Sequence, residues 1–100
     1  MPDLFTLNKS PSETTGLTTV LRFAPTASAL LLLEDGVYAA IRDTRWSDMI
    51  GQHPDKSFYV LQEDLAARGL RQDELITSVQ PVDYAGFVDL VVAYDKVQAW

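Results

Sequence analysis

Ala29 to Leu33 is an unbroken apolar run, and a run of that length can be satisfied in few ways. A strand with one wet face alternates apolar and polar residues, whereas a continuous stretch of leucines suits a strand covered by helices on both faces, as in parallel sheets. The run therefore predicts a central strand. On either side of it, short apolar segments alternate with helical patterns, the signature of an α/β domain with a mainly parallel sheet. Leu4–Asn8 reads as the first strand and Ser57–Leu61 as the third. Ser78–Val82 reads as a fourth, and Pro81 within it lacks a backbone donor, so this strand belongs at a sheet edge or is very short. Val97–Trp100 fits either a short fifth strand or an arm laid on a neighbour. The expected architecture is a single α/β domain over residues 1–100, with three layers, α/β/α, around a small, mainly parallel sheet of four to five strands.

The helices between these strands are short. Ser10-Pro11-Ser12-Glu13 has the capping-box pattern of a helix start, and the helix it opens puts Leu17, Val20, Leu21 and Ala24 on one face. Thr14, Thr15 and Gly16 are weak helix formers, which favours a later start. Short helices are expected over Val37–Ile41, Trp46–Ile50 and Glu63–Arg68, the last stopped by Gly69 in the C′ position with Leu70 folding back.

The last helix carries more apolar surface than one small domain can use. At about 100° per residue, Phe87, Leu90, Val91 and Tyr94 form the stripe expected to face the core. Tyr84, Val88 and Val92 lie beside it and widen the apolar arc to about 200°, against the ~100° a one-sided surface helix needs. A chain of 100 residues hides only about 60 to 70% of its unfolded surface, so complete burial of this helix is difficult. The surplus predicts a partner, with Tyr84, Val88, Val92 and Trp100 as the candidate subunit interface.

Several function classes lose their footing in the composition. The chain has no cysteine, so disulfides, cysteine metal sites and a thiolate nucleophile are excluded and the polypeptide cannot itself carry a persulfide. Its one histidine, His53, sits in the turn-like Gly51-Gln52-His53-Pro54 without a clustered ligand or a Gly-x-Ser-x-Gly elbow, which leaves a hydrolase centred on it as a poor reading. The five glycines stand singly, so no phosphate-cradling loop is formed. A net charge of -6 with scattered Lys and Arg disfavours direct nucleic-acid binding. No apolar run approaches the ~20 residues of a membrane span, and Met1-Pro2-Asp3-Leu4 lacks the basic start of a signal peptide, so a cytoplasmic location is expected. The carboxyl ends of the strands, where open α/β sheets bind ligands, carry an acidic rim of Glu34, Asp35, Glu63, Asp64 and Asp83. Helix capping accounts for these carboxylates, and their spacing supports no metal, cofactor or catalytic site.

Several blocks of this sequence resemble the TusB/DsrH family. They are Leu7-Asn8-Lys9-Ser10-Pro11, Leu32 through Ala40, Leu61 through Gly69, Asp83-Tyr84-Ala85-Gly86-Phe87-Val88-Asp89-Leu90 and the ending Lys96-Val97-Gln98-Ala99-Trp100. The resemblance implies a DsrEFH-like (Rossmann/flavodoxin-like) fold and a subunit of a heterohexamer with TusC/DsrF-like and TusD/DsrE-like chains. In such complexes the persulfide is received on a cysteine of the TusD chain and passed to a TusE/DsrC-like acceptor. The pathway is tRNA wobble-uridine 2-thiolation for TusBCD and sulfur oxidation for DsrEFH. Some members carry a cysteine in the first helix, and the corresponding position here is Val20, so no sulfur-carrying residue transfers. The implied role is non-catalytic. The alternative outside this family is a stand-alone α/β module whose acidic rim receives a small cation or amine.

Overall fold

Five strands form one parallel sheet in the order β4-β3-β2-β1-β5 in the computed structural model, which describes residues 3–100. They are β1 (Asp3–Leu7), β2 (Ala29–Leu32), β3 (Ser57–Leu61), β4 (Val79–Val82) and β5 (Lys96–Ala99). The leucine run takes the middle position, and all four residues of β2 are buried. Its side chains divide between the two faces. Leu30 and Leu32 join the larger core with Phe5, Leu7, Phe58 and Val60, whereas Ala29 and Leu31 join Leu4 on the other side. Pro81 lies in edge strand β4 as its chemistry requires. The final residues form a true strand, paired in register with β1 from Asp3 opposite Lys96 to Thr6 opposite Ala99.

Topology decides where the helices lie. From β1 to β4 the chain steps across the sheet in one direction, and right-handed crossovers place α1 (Gly16–Phe23), α2 (Arg45–Gly51), α3 (Gln62–Ala67) and a 3-10 stretch over Glu34–Ala40 on a common face. The step from β4 to β5 runs back across the whole sheet. Its crossover helix, α4 (Tyr84–Ala93), therefore falls on the opposite face, where Phe87, Leu90 and Tyr94 pack over Leu4, Ala29 and Leu31. Three layers result, and one of them is a lone helix.

Local chemistry sets the helix ends. In α1, Leu17, Val20 and Leu21 are buried and Ala24 joins them in the core, the face the spacing predicts. The expected capping box at Ser10 does not form. Ser10 Oγ instead accepts from Ser12 N at 3.3 Å and Ser10 O accepts from Glu13 N at 3.0 Å, which closes a turn. The poor helix formers that follow delay α1 to Gly16. A capping box does open α2, where Ser47 N donates to Thr44 Oγ1 at 3.1 Å and Thr44 N to Ser47 Oγ at 3.0 Å. At the end of α3, Gly69 takes φ +68. Its N–H reaches Ala66 O at 3.1 Å while Leu70 N reaches Leu65 O at 3.0 Å, the paired bonds of a Schellman stop. The segment expected as a helix over Val37–Ile41 is the tighter 3-10 form and begins earlier, at Glu34.

Candidate functional site

The acidic rim at the carboxyl ends of the strands is occupied by its own backbone and by one arginine. Asp64 Oδ2 accepts from Glu34 N at 2.6 Å, which helps hold Glu34 at φ 50. Asp35 pairs with Arg68, whose Nη2 lies 2.9 Å from Oδ1. Glu63 Oε2 accepts from Tyr84 N at 3.3 Å, and Asp83 Oδ1 accepts from Gly86 N at 2.8 Å as the N-cap of α4. These carboxylates connect β2, α3 and α4 to one another. Among the described residues no group of three or more His, Cys, Asp or Glu side chains is placed to hold a metal ion.

His53 lies at the opposite end of the sheet. With Ile50, Gly51, Pro54, Lys56, Phe58 and Ser78 it lines an open cavity of about 240 Å³ beside the starts of β3 and β4. The Lys56 ammonium there pairs with Asp55 at 2.9 Å, and that hydrogen bond holds the Asp55 carboxyl below the usual carboxylate range. Val20, the position that the resemblance matched to a cysteine, is 1% exposed and packs in the larger core. A thiol at that position would point from α1 into the core over the sheet, away from solvent.

The outer surface of α4 is the conspicuous feature. None of its residues is fully buried. Phe87, Leu90 and Tyr94 turn to the sheet, but Val91, expected on the same stripe, is 38% exposed. The correction is geometric, because a helix lying on a flat sheet buries a narrower arc than one enclosed by neighbours. Tyr84 is 55%, Val88 58% and Val92 80% exposed. These three positions, four residues apart, align as one ridge.

Trp100, the fourth candidate, is not beside them. Its ring meets Phe5 edge-on with centroids 6.4 Å apart, and Phe5 belongs to the core on the α1 side. The Trp100 N–H donates to Thr6 O at 2.9 Å. The sheet thus separates Trp100 from the α4 ridge. Phe23, 70% exposed at the end of α1, was not among the sequence candidates. Its position about 100° off the Leu17–Ala24 stripe was the available signal.

The fold is a five-stranded parallel sheet with a lone crossover helix whose apolar outer ridge is exposed, and its rim carboxylates are held largely by groups of the chain itself, with Glu63 Oε1 buried and without a hydrogen-bond partner. The chain belongs to the DsrH-like protein family, whose model matches residues 9–97. Among curated proteins it is 39% identical over 97 residues to Protein TusB of Shigella flexneri, covering 97% of this chain and 99% of that one. Protein TusB of Escherichia coli O9:H4 matches at the same identity and coverage. Among solved structures, the ychN protein from E. coli superposes with a TM-score of 0.76 over 100% of both chains at 14% identity. MTH1491 from Methanobacterium thermoautotrophicum, described as a protein of unknown function, does so at 0.75 over 97% of both at 15%. At such identities the structural likeness shows the fold alone. No helix among the described residues is long and apolar enough to cross a membrane.

Proposed function

We propose that this chain is the non-catalytic subunit of a cytoplasmic sulfur-relay assembly, a heterohexamer it forms with TusC/DsrF-like and TusD/DsrE-like chains. The assembly passes persulfide sulfur to a TusE/DsrC-like acceptor for 2-thiolation of the tRNA wobble uridine. The observation that carries the reading is the pairing of family membership with a sequence that has no cysteine. A relay needs a thiolate at each covalent station, so any such station must come from another chain. The role left to this one is to hold a thiol-bearing neighbour in shape and place. The exposed ridge of α4 offers a surface for doing so.

Sulfur oxidation is the second reading, favoured by the DsrH-like family description. The two separate in a deletion strain. Loss of 2-thiouridine from bulk tRNA, restored by the gene in trans, supports thiolation. Unchanged 2-thiouridine with impaired growth on reduced sulfur compounds moves the chain to the oxidation pathway, and neither effect removes the relay role. The cation- or amine-binding module has less to recommend it, because among the described residues no group of three or more His, Cys, Asp or Glu side chains is placed to hold a metal ion and Asp35 is already paired with Arg68. Calorimetry against divalent metals and simple amines at millimolar concentration tests it directly.

A further inference from the structure

We propose that the outer face of α4 seats a helix from a companion chain whose contact surface is apolar at its centre and bears Lys or Arg at its rim. The inference rests on the assembly reading above and adds the chemistry of the partner.

Its shape follows from residue spacing. Tyr84, Val88 and Val92 form an i, i+4, i+8 ridge, with Val91 alongside. On the other side, Ala85 and Ala93 share the neighbouring row with Asp89. A ridge next to a row of mostly small residues is the relief into which a second helix packs, at an interaxial distance of roughly 8–10 Å. Among the described residues nothing supplies that helix, because the smaller core on this side consists of strand residues, Leu33, and α4 with its C-cap Tyr94.

The sign of the partner's charge follows from the border of the patch. Asp83 stands at the start of α4, Asp89 on its exposed flank and Asp95 just past its end. None of the three is in an ion pair among the described residues, where Asp35, Asp43, Asp55, Asp73 and Glu74 are the paired carboxylates. Glu63 adds a fourth carboxylate beside Tyr84. Lys96 is the one cation in sequence from Asp83 to Trp100. A second copy of this chain docked through the same patch would set this acidic border against itself, since a two-fold contact is self-complementary, and like charges facing one another oppose association. A chain with a basic border meets the complement instead, and its charges speed encounter as well as fixing register.

The test is co-expression with the companion TusC-like and TusD-like chains, read by native mass spectrometry and by affinity at about 50 and about 500 mM salt. The expected result is assembly by the wild-type chain and exclusion of Val88→Glu and Val92→Glu. Both positions are exposed, so circular dichroism and thermal melting will show these variants folded when alone. Asp89→Lys is expected to weaken assembly about tenfold at low salt and to flatten its salt dependence, while Glu13→Lys, the same charge change on an exposed turn away from α4, leaves both near wild type. If the wild-type chain assembles and the α4 variants assemble equally well, the seat on α4 is wrong and the relay-subunit reading survives. A wild-type homodimer dissolved by Val88→Glu would make a second copy the occupant and overturn the inference. Failure of the wild-type chain to join either companion would overturn both.

Discussion

Gly36 lies so close to the carbonyl of Leu7 that a β-carbon at position 36 would overlap that oxygen. The same Leu7 carbonyl accepts the N–H of Leu33 at 3.0 Å. The end of β1 and the turn that leaves β2 are therefore joined through one acceptor, with no room for a side chain between them. This junction fixes the height of the loop that carries Glu34 and Asp35, the rim residues tied to Asp64 and Arg68.

Gly36→Ala must displace backbone, because a carbonyl in a strand cannot rotate aside as a side chain would. A loss of about 3 kcal/mol in urea unfolding is expected, at the upper end of ordinary overpacking. Gly51→Ala is the matched comparison, since nothing lies within 4 Å of a β-carbon there, and as the last residue of α2 it should gain up to about 0.5 kcal/mol from helix propensity. Equal effects at the two sites would mean that the Leu7 contact yields easily.

The central strand and the edge strand were legible in the sequence because each follows from a single local rule, a leucine run that no half-wet strand can use and a proline that cannot donate to a ladder. Gly69 was legible for the same reason. The start of α1 was not, because Ser10 offers its hydroxyl equally to a helix cap and to a tight turn, and the choice is made by the residues after it. Val91 leaves the expected stripe, 38% exposed, because periodicity gives the direction of a side chain but not the width of the surface beneath it. Trp100 ends a segment whose sequence fits either a strand or an arm on a neighbour, and nothing local decides between them. The register of β5 against β1 is a long-range fact, and it sends Trp100 to the other face.

Asp83 is the N-cap of α4 through its bond to Gly86 N, and α4 starts a turn from the sheet edge with Glu63 as its other tie. Asp83→Ala should cost about 1 kcal/mol, the usual value of a lost cap. The loss should be local. Amide hydrogen exchange at Gly86 should accelerate more than exchange at Leu31 in the central strand, and uniform acceleration would contradict a capping role.

The outer ridge of α4 should matter little to the isolated chain. Val92→Ser, at a position 80% exposed, is expected to change stability by less than about 0.5 kcal/mol. Leu31→Ala removes a fully buried side chain from beneath the same helix and should cost about 3 kcal/mol. If urea denaturation returned comparable losses, the ridge would be core in the free chain and its availability to a partner would be in doubt.

Tyr94 supplies a handle on the buried side of α4. Burial raises the pKa of its phenol above the ordinary 10.0, with the neighbouring Tyr59 as a further cause. The folded state thus holds this proton more tightly than the unfolded chain does. Stability from this group is complete below the unfolded value and is lost as pH rises through the higher folded one. Ultraviolet titration of the four tyrosines should therefore show one ionising late, and Tyr94→Phe should remove that phase. The variant should also lose less stability than the wild type between pH 10 and 12, approximate bounds set by the free phenol. A titration unchanged by the substitution would mean that the Tyr94 hydroxyl is open to water, and with it the packing of α4 on Leu4 and Leu31 looser than this arrangement requires.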